Sequence, residues 1–180
     1  MDISFFENEN RTKNGTVGDK PPVQVVISLN GPSNATCIEA TRDGIFVFVG
    51  TQADKADPAQ PSQICIVNAL RSESVSAWDA PGSVCSLRLS SDDRLLAVLT
   101  AGGDVAILSC IKGPPFLKPY TSLKVQGLPI RAGFSFNCAA VFVLNDEGRI
   151  DVFHIPEPPP PGQSILWITA FRPICRRGII

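Results

Sequence analysis

VCSLRLSSDDRLLAVLTAGGDVAILSC, residues Val84–Cys110, is the stretch that decides the fold of this chain. It alternates between apolar and polar residues, turns at Ser-Ser-Asp-Asp, runs apolar, turns at Gly-Gly and runs apolar again. Alternation with a period of two is typical of β-strands, and clusters of Asp, Ser and Gly are typical of the turns between them. The stretch therefore predicts three short antiparallel strands joined by tight turns.

The same order of strands and turns recurs on both sides of this stretch. Residues Cys37–Thr51 repeat it at an offset of 49, with Ile64–Val67 as the third strand, and residues Ile130–Phe153 repeat it at an offset of 45. A further short apolar segment follows each unit, and we expect these segments to be fourth strands: residues 73–78, 120–125 and 165–171. Each unit is therefore predicted to be a four-stranded antiparallel meander.

The middle strands of each unit consist almost entirely of Val, Ile, Leu and Phe, which predicts burial on both faces and hence sheets stacked face to face. Stacked units of about 40–50 residues with four strands are typical of β-propeller blades. We therefore predict an all-β fold of about three four-stranded blades, which is a partial propeller because closure takes at least about four. Either the chain is one piece of a longer propeller, such as a fragment or a shortened isoform, or its open sheet edges pair with another chain. A generic β-sandwich is the alternative fold.

The units across residues 35–171 resemble the WD-repeat (WD40-like) β-propeller family. Val84–Asp93 and Val105–Leu108 are similar to the first strand, polar turn and third strand of that family. The repeats are degenerate, since no Gly-His pair precedes a first strand and Trp78-Asp79 falls at the end of a fourth strand rather than a third. The resemblance, which extends to ciliary and axonemal WD-repeat proteins, implies a noncatalytic protein-interaction scaffold in the cytoplasm or the axoneme.

We expect three parts along the chain. Residues 1–22, which are rich in Asn, Glu, Lys, Thr and Gly, are predicted to form a flexible, disordered arm. Residues 23–171 are predicted to form the blades, beginning with a strand at Val23–Leu29 that could complete a neighbouring blade. Residues 172–180 do not continue the repeat and are predicted to form an irregular tail.

Composition and motifs exclude several classes of function. A formal net charge of −1 provides no basic excess to attract nucleic acid, and no apolar stretch reaches the roughly 18 residues that insert into a membrane. His154 is the only histidine, and the six cysteines form no C-x-x-C pair. No phosphate-binding glycine motif occurs. We therefore predict no catalytic, cofactor-binding or metal-binding residue and no cofactor. Two alternatives stay open: a propeller enzyme with a central-channel site, and a module that binds peptides at an edge strand.

Two segments are candidates for binding other proteins. The loop at residues 51–62 is long for a connection between adjacent strands, and it predicts a partner-binding site built from Asp54, Lys55, Asp57, Pro58 and Pro61. A tolerated surface insertion is the alternative. The proline run at residues 158–161 is predicted to be a stiff spacer between the last two strands, with a polyproline ligand as its alternative.

Overall fold

The computed structural model describes strands β1 (Asp2–Glu7) and β2 (Val23–Ser28), and then residues 34–53, 61–111 and 113–156. Every regular element in these ranges is a β-strand, which confirms the predicted all-β class. Across the described ranges there is no apolar helix of the length that a bilayer crossing requires.

The start of the chain differs from the flexible arm predicted over residues 1–22. β1 lies within that range and pairs antiparallel with β2 as a separate two-stranded sheet. The backbone register sets Ile3 opposite Ile27 and Phe5 opposite Val25, and β-branched and aromatic residue types favour strands. β2 begins where predicted, but its partner is β1 rather than a strand of a blade. The rest of the predicted arm lies outside the described residues.

Three meander sheets follow, one for each sequence repeat. Blade 1 consists of β3 (Asn34–Ala40), β4 (Phe46–Gln52), β5 (Gln63–Asn68) and β6 (Glu73–Asp79). Blade 2 consists of β7 (Val84–Leu89), β8 (Leu95–Thr100), β9 (Asp104–Cys110) and β10 (Leu117–Lys124). The described part of blade 3 consists of β11 (Pro129–Phe134), β12 (Ala140–Asn145) and β13 (Ile150–His154). The fourth strand predicted at residues 165–171, the proline run at 158–161 and the tail at 172–180 lie outside the described residues.

The blades stack face to face around their first strands. β7 lies between β3 and β11 and contacts both. One apolar cluster joins Phe48, Ile64 and Ile66 of blade 1 to the facing side of blade 2. A second cluster joins the other side of blade 2 to blade 3. The middle strands of blades 1 and 2 are thus buried on both faces, as the continuous apolar runs predict.

Each first strand contains a β-bulge, and in blades 1 and 2 the bulge places one side chain at the joint with the next blade. In blade 1, the Thr36 hydroxyl lies 3.1 Å from the carbonyl oxygen of Gly50 in its own blade and 2.6 Å from that of Val84 in blade 2, and it shares its one proton between these two acceptors. In blade 2, the Cys85 thiol makes the equivalent pair of contacts, to the carbonyls of Leu99 and Pro129. These donors are 49 positions apart, so the sequence repeat is also a repeat of inter-blade hydrogen bonds.

A buried polar residue lies at the end of the second strand of each blade or one position before it. Thr51, Thr100 and Asn145 are each 0–1% exposed. Each bonds to the backbone where the third strand begins or just before it; for example, the Thr51 hydroxyl accepts from the amide of Gln63 at 2.9 Å. Because a buried polar group without a partner costs about 1–3 kcal/mol, these bonds fix where the two central strands of each blade separate.

Gly50 is a site where the close approach of blades 1 and 2 can be tested. A Cβ atom at this position would lie 2.6 Å from both the Cys37 Sγ and the Val84 Cγ1. We expect Gly50→Ala to lower the free energy of unfolding by about 1–3 kcal/mol, because the joint must open to admit the methyl group. Urea unfolding followed by circular dichroism measures the change.

Gly133→Ala is the matched control, because Gly133 also lies in a strand but has no atom within 4 Å of the added methyl group. This variant should unfold at the urea concentration of the parent chain or slightly above it. Equal midpoints for the two variants would show that the joint between blades 1 and 2 is not tightly packed.

Candidate functional site

The turns between the first and second strands share one hydrogen-bonded design. In blade 2, the Ser90 hydroxyl donates to Asp92 Oδ1 at 2.7 Å and accepts from the amide of Leu95 at 3.0 Å. Asp92 Oδ1 also accepts from the amide of Arg94, and Asp93 takes a positive φ of 57°. The turns of the other two blades repeat these bonds with the residues Thr41, Asp43, Gly44, Ser135, Asn137 and Cys138.

The turns of neighbouring blades are also bonded to each other. The Arg42 amide in blade 1 donates to Asp93 Oδ2 at 2.9 Å, and its guanidinium donates to the Ser91 carbonyl. One blade further on, the Ser91 hydroxyl donates to the carbonyl of Phe136 at 3.2 Å. This edge of the blades is therefore a connected frame of short turns rather than a set of independent loops.

An inter-blade groove lies beside this frame, between blades 1 and 2, with a cavity volume of about 420 Å³. Phe46, Phe48 and Ile66 of blade 1 form its apolar side, and Ile111 and Phe116 of blade 2 face them. The rings of Phe46 and Phe116 pack at a centroid distance of 5.5 Å with their planes tilted by 53°. Phe46, Ile111 and Phe116 are only half-buried, so the groove offers apolar surface to solvent.

The rim of the inter-blade groove is acidic. It carries three carboxylates and one guanidinium, from Asp43, Asp92, Asp93 and Arg94. The guanidinium of Arg94 is paired with Asp92, with its Nε 2.6 Å from Asp92 Oδ2. The formal charge at the rim is therefore negative, which favours a cationic group of a ligand beside the apolar floor.

The cysteine in the groove is not a reactive thiolate. Burial, together with the charges of Asp93 and Asp92, raises the pKa of the Cys110 thiol to about 12. Burial is also the largest cause of the raised pKa values of Cys37, Cys65 and Cys85. Since the thiolate is the nucleophile and the metal ligand, these thiols act as packing groups at neutral pH. Within the described residues, no group of three or more His, Cys, Asp and Glu side chains is placed to hold a metal ion.

Asp92 is held ionised by its turn. Partial burial raises its pKa, but hydrogen bonds from Ser90 and Arg94, with the charge of Arg94, outweigh that effect and lower the pKa from 3.8 to about 2. The carboxylate is therefore fixed as a hydrogen-bond acceptor and is not poised to exchange protons near neutral pH.

The low pKa of Asp92 makes a pH-dependent contribution to stability. A carboxyl whose folded pKa is below its unfolded pKa stabilises the fold above the unfolded value and loses that effect as pH falls through the folded value. Asp92→Asn should lower the free energy of unfolding by about 1 kcal/mol at neutral pH, a modest loss because the side chain is 34% exposed. The deficit should shrink between pH 4 and pH 2, as denaturant unfolding at a series of pH values would measure.

The turn can accommodate Asn at position 92, because blade 3 carries Asn137 at the equivalent turn position. Glu147→Gln, which removes an exposed carboxyl from another turn, serves as the control and should show no comparable change. A deficit for Asp92→Asn that is the same at pH 2.5 and pH 7 would contradict the assignment.

The strand that leads into the predicted partner loop begins at the groove and ends away from it. Asp54, Lys55, Asp57 and Pro58 lie outside the described residues, whereas Pro61 is described and exposed. β4 runs from the groove at Phe46 to this loop after Gln52, so the loop begins at the opposite end of the strand. The prediction that these five residues bind a partner stays a prediction.

The groove was not predicted from the sequence, because its two sides come from different blades. Phe46 and Phe116 are 70 positions apart and belong to different structural positions of the repeat, so no spacing signals their contact. The turn frame did leave a signal: a hydroxyl residue followed two positions later by Asp or Asn recurs at offsets of 49 and 45.

Comparison with known proteins supports the fold through structure alone. No protein-family model matches the chain, and no curated protein sequence matches it. Among solved structures, the chain is similar to the β-propeller domain of Cps50 (Swd1) from Myceliophteria thermophila, with a TM-score of 0.60 and 14% sequence identity. The similarity covers 77% of this chain and 49% of that domain, so the chain spans about half the length of the propeller it matches. The chain thus has the fold of a partial WD40-like β-propeller.

Proposed function

We propose that this chain is a noncatalytic protein-interaction scaffold, and that the inter-blade groove binds an apolar side chain of a partner protein next to a Lys or Arg. The observation that carries this proposal is the pairing of a half-exposed apolar floor at Phe46, Ile111 and Phe116 with an acidic rim. A volume of about 420 Å³ falls within the range of roughly 300–1,000 Å³ typical of ligand pockets, which is ample for one large side chain.

The polar groups around the groove support binding rather than chemistry. The Asp92 carboxylate accepts hydrogen bonds from Ser90 and Arg94, and the Cys110 thiol stays protonated at neutral pH. Neither group is therefore available as a general base or a nucleophile. The hydrogen-bonded turn frame holds the rim in place, and a preorganised surface loses less conformational entropy when a partner binds.

Selection from a random peptide library displayed on phage tests the proposal. The chain should enrich peptides in which a large apolar residue stands next to Lys or Arg. Ile45→Lys places a positive charge at the edge of the groove and should reduce the affinity of the selected peptides by about tenfold or more, measured by fluorescence anisotropy.

Two further variants complete the design. Asp93→Asn removes one rim charge and keeps the turn, because Asn also adopts positive φ and its amide oxygen can accept from the Arg42 amide in place of the carboxylate; it should weaken binding and reduce the salt dependence. Leu70→Lys changes an exposed residue outside the groove and should leave binding unchanged. Selected peptides that bind all three variants with the same affinity would place the binding site elsewhere.

We also propose that the scaffold works in the cytoplasm, within an axonemal or other large assembly. The support for this setting is the resemblance of the degenerate repeats to WD-repeat proteins of cilia. Expression of the fluorescently tagged chain in ciliated cells tests it, with the tag alone as the control. Enrichment along the axoneme is the expected result, and a distribution equal to that of the tag would contradict it.

A further inference from the structure

The outer face of blade 3 exposes a cluster of large apolar side chains. Phe142 and Leu144 on β12 pair in register with Val152 and Ile150 on β13, and we call these four residues the open face. Phe142 is 40% exposed and Ile150 is 62% exposed, while Leu144 and Val152 are half-buried. Adjacent apolar residues exposed on one sheet are typical of an interaction surface rather than of scattered surface positions.

In blades 1 and 2, the face equivalent to the open face is covered by the next blade. The residues 45 positions earlier are Ala97, Leu99, Val105 and Ile107, which keep the same cross-strand pairing in blade 2. All four are 0% exposed, because blade 3 packs on them. In blade 1 the corresponding Phe48, Ile64 and Ile66 lie beneath blade 2. The open face of blade 3 is therefore equivalent to the surface with which blades 1 and 2 each pack against the next blade.

Two further positions of the inter-blade joint follow the same pattern. Thr36 and Cys85 bond to the next blade, and the equivalent residue of blade 3 is Ile130, which is 53% exposed. Arg42 and Ser91 bond to the next turn, and their equivalent is Phe136, which is 96% exposed. Blade 3 thus replaces the polar donors of the joint with exposed apolar residues, so the surface available to the next blade is more apolar than either joint already formed.

The first blade of this chain carries a complementary surface. Leu87 and Ala132 are the first-strand residues that blades 2 and 3 bury against the preceding blade. Their equivalent in blade 1 is Ile38, which is 52% exposed. Gly44 on the adjoining turn has open space around its Cβ position. Val47 and Val49 of β4 are already buried, so the part of this side that can receive another sheet is the inner strand β3 with its turn.

We propose that a second copy of this chain docks its β3 strand, through Ile38, onto the open face of blade 3. The match covers only about half of a solved propeller, and two copies of this chain supply two sets of three blades. Both facts support a second copy as the molecule that covers the open face. Two such contacts around a twofold axis would cover the open faces of both copies. This inference does not depend on the groove and stands or falls separately from the proposed function.

Sedimentation velocity and light scattering of the full chain across about 1–100 μM test the contact. A species of twice the 19.3 kDa chain mass that dissociates on dilution is the expected result. Ile150→Lys places a charge on the open face at its most exposed position and should raise the dimer dissociation constant by about tenfold or more. Phe142→Lys should act in the same way, and Leu70→Lys, on an exposed turn of blade 1, should have no effect.

Crosslinking identifies which surface lies against the open face. The variant Ile150→benzoylphenylalanine, mixed as labelled and unlabelled copies, should crosslink to β3 of the other copy. A monomer at every concentration, a dimer unaffected by Ile150→Lys, or crosslinks only within one copy would overturn the proposal. So would crosslinks that join blade 3 of one copy to blade 3 of the other, because they would place two open faces against each other.

Discussion

The burial of apolar side chains between stacked sheets is the interaction on which this structure depends. A sheet of three or four short strands cannot bury both of its faces alone, so each blade becomes stable only through its neighbours. Blade 2 shows the completed arrangement, with Leu96, Ala97, Val98 and Leu99 of one strand all 0% exposed. The hydrogen bonds of Thr36 and Cys85 then fix the position of each sheet against the next, which apolar contact alone does not do because it is not directional.

The groove between blades 1 and 2 is a consequence of the same stacking. Where the sheets are in full contact, the space between them is filled by aliphatic side chains together with Phe48. At the edge beside the turns, the rings of Phe46 and Phe116 fill the space between the blades only partly. The strict hydrogen bonding of the turns then limits how far that gap can close. A rigid frame beside an incompletely filled joint is a simple way to build a binding surface from a repeat.

The sequence was sufficient for the blades and insufficient for the site. Val84–Cys110 predicted three strands where β7, β8 and β9 lie, because alternation, turn residues and apolar runs all depend on neighbours in the chain. β1 was missed because its six residues are too few to show a period and its partner strand lies beyond a long polar segment. The groove depends on contacts between blades. On β13, the burial of Asp151 and the exposure of Ile150 depend on which side of blade 3 has a neighbour. Such information is carried by tertiary packing and not by local pattern.

The unequal surroundings of the blades give the chain a gradient of local stability. In blade 2, the central strands β8 and β9 are shielded from both sides, whereas β12 and β13 of blade 3 are shielded by described residues on one side only. In a stacked array each unit owes its stability to the interfaces it shares, so a unit with fewer interfaces opens at a lower free-energy cost. Local opening of blade 2 therefore costs more free energy than local opening of blade 3. Sequence change is tolerated least in blade 2 and more readily toward blade 3, so the same substitution at equivalent repeat positions has unequal effects along one polypeptide.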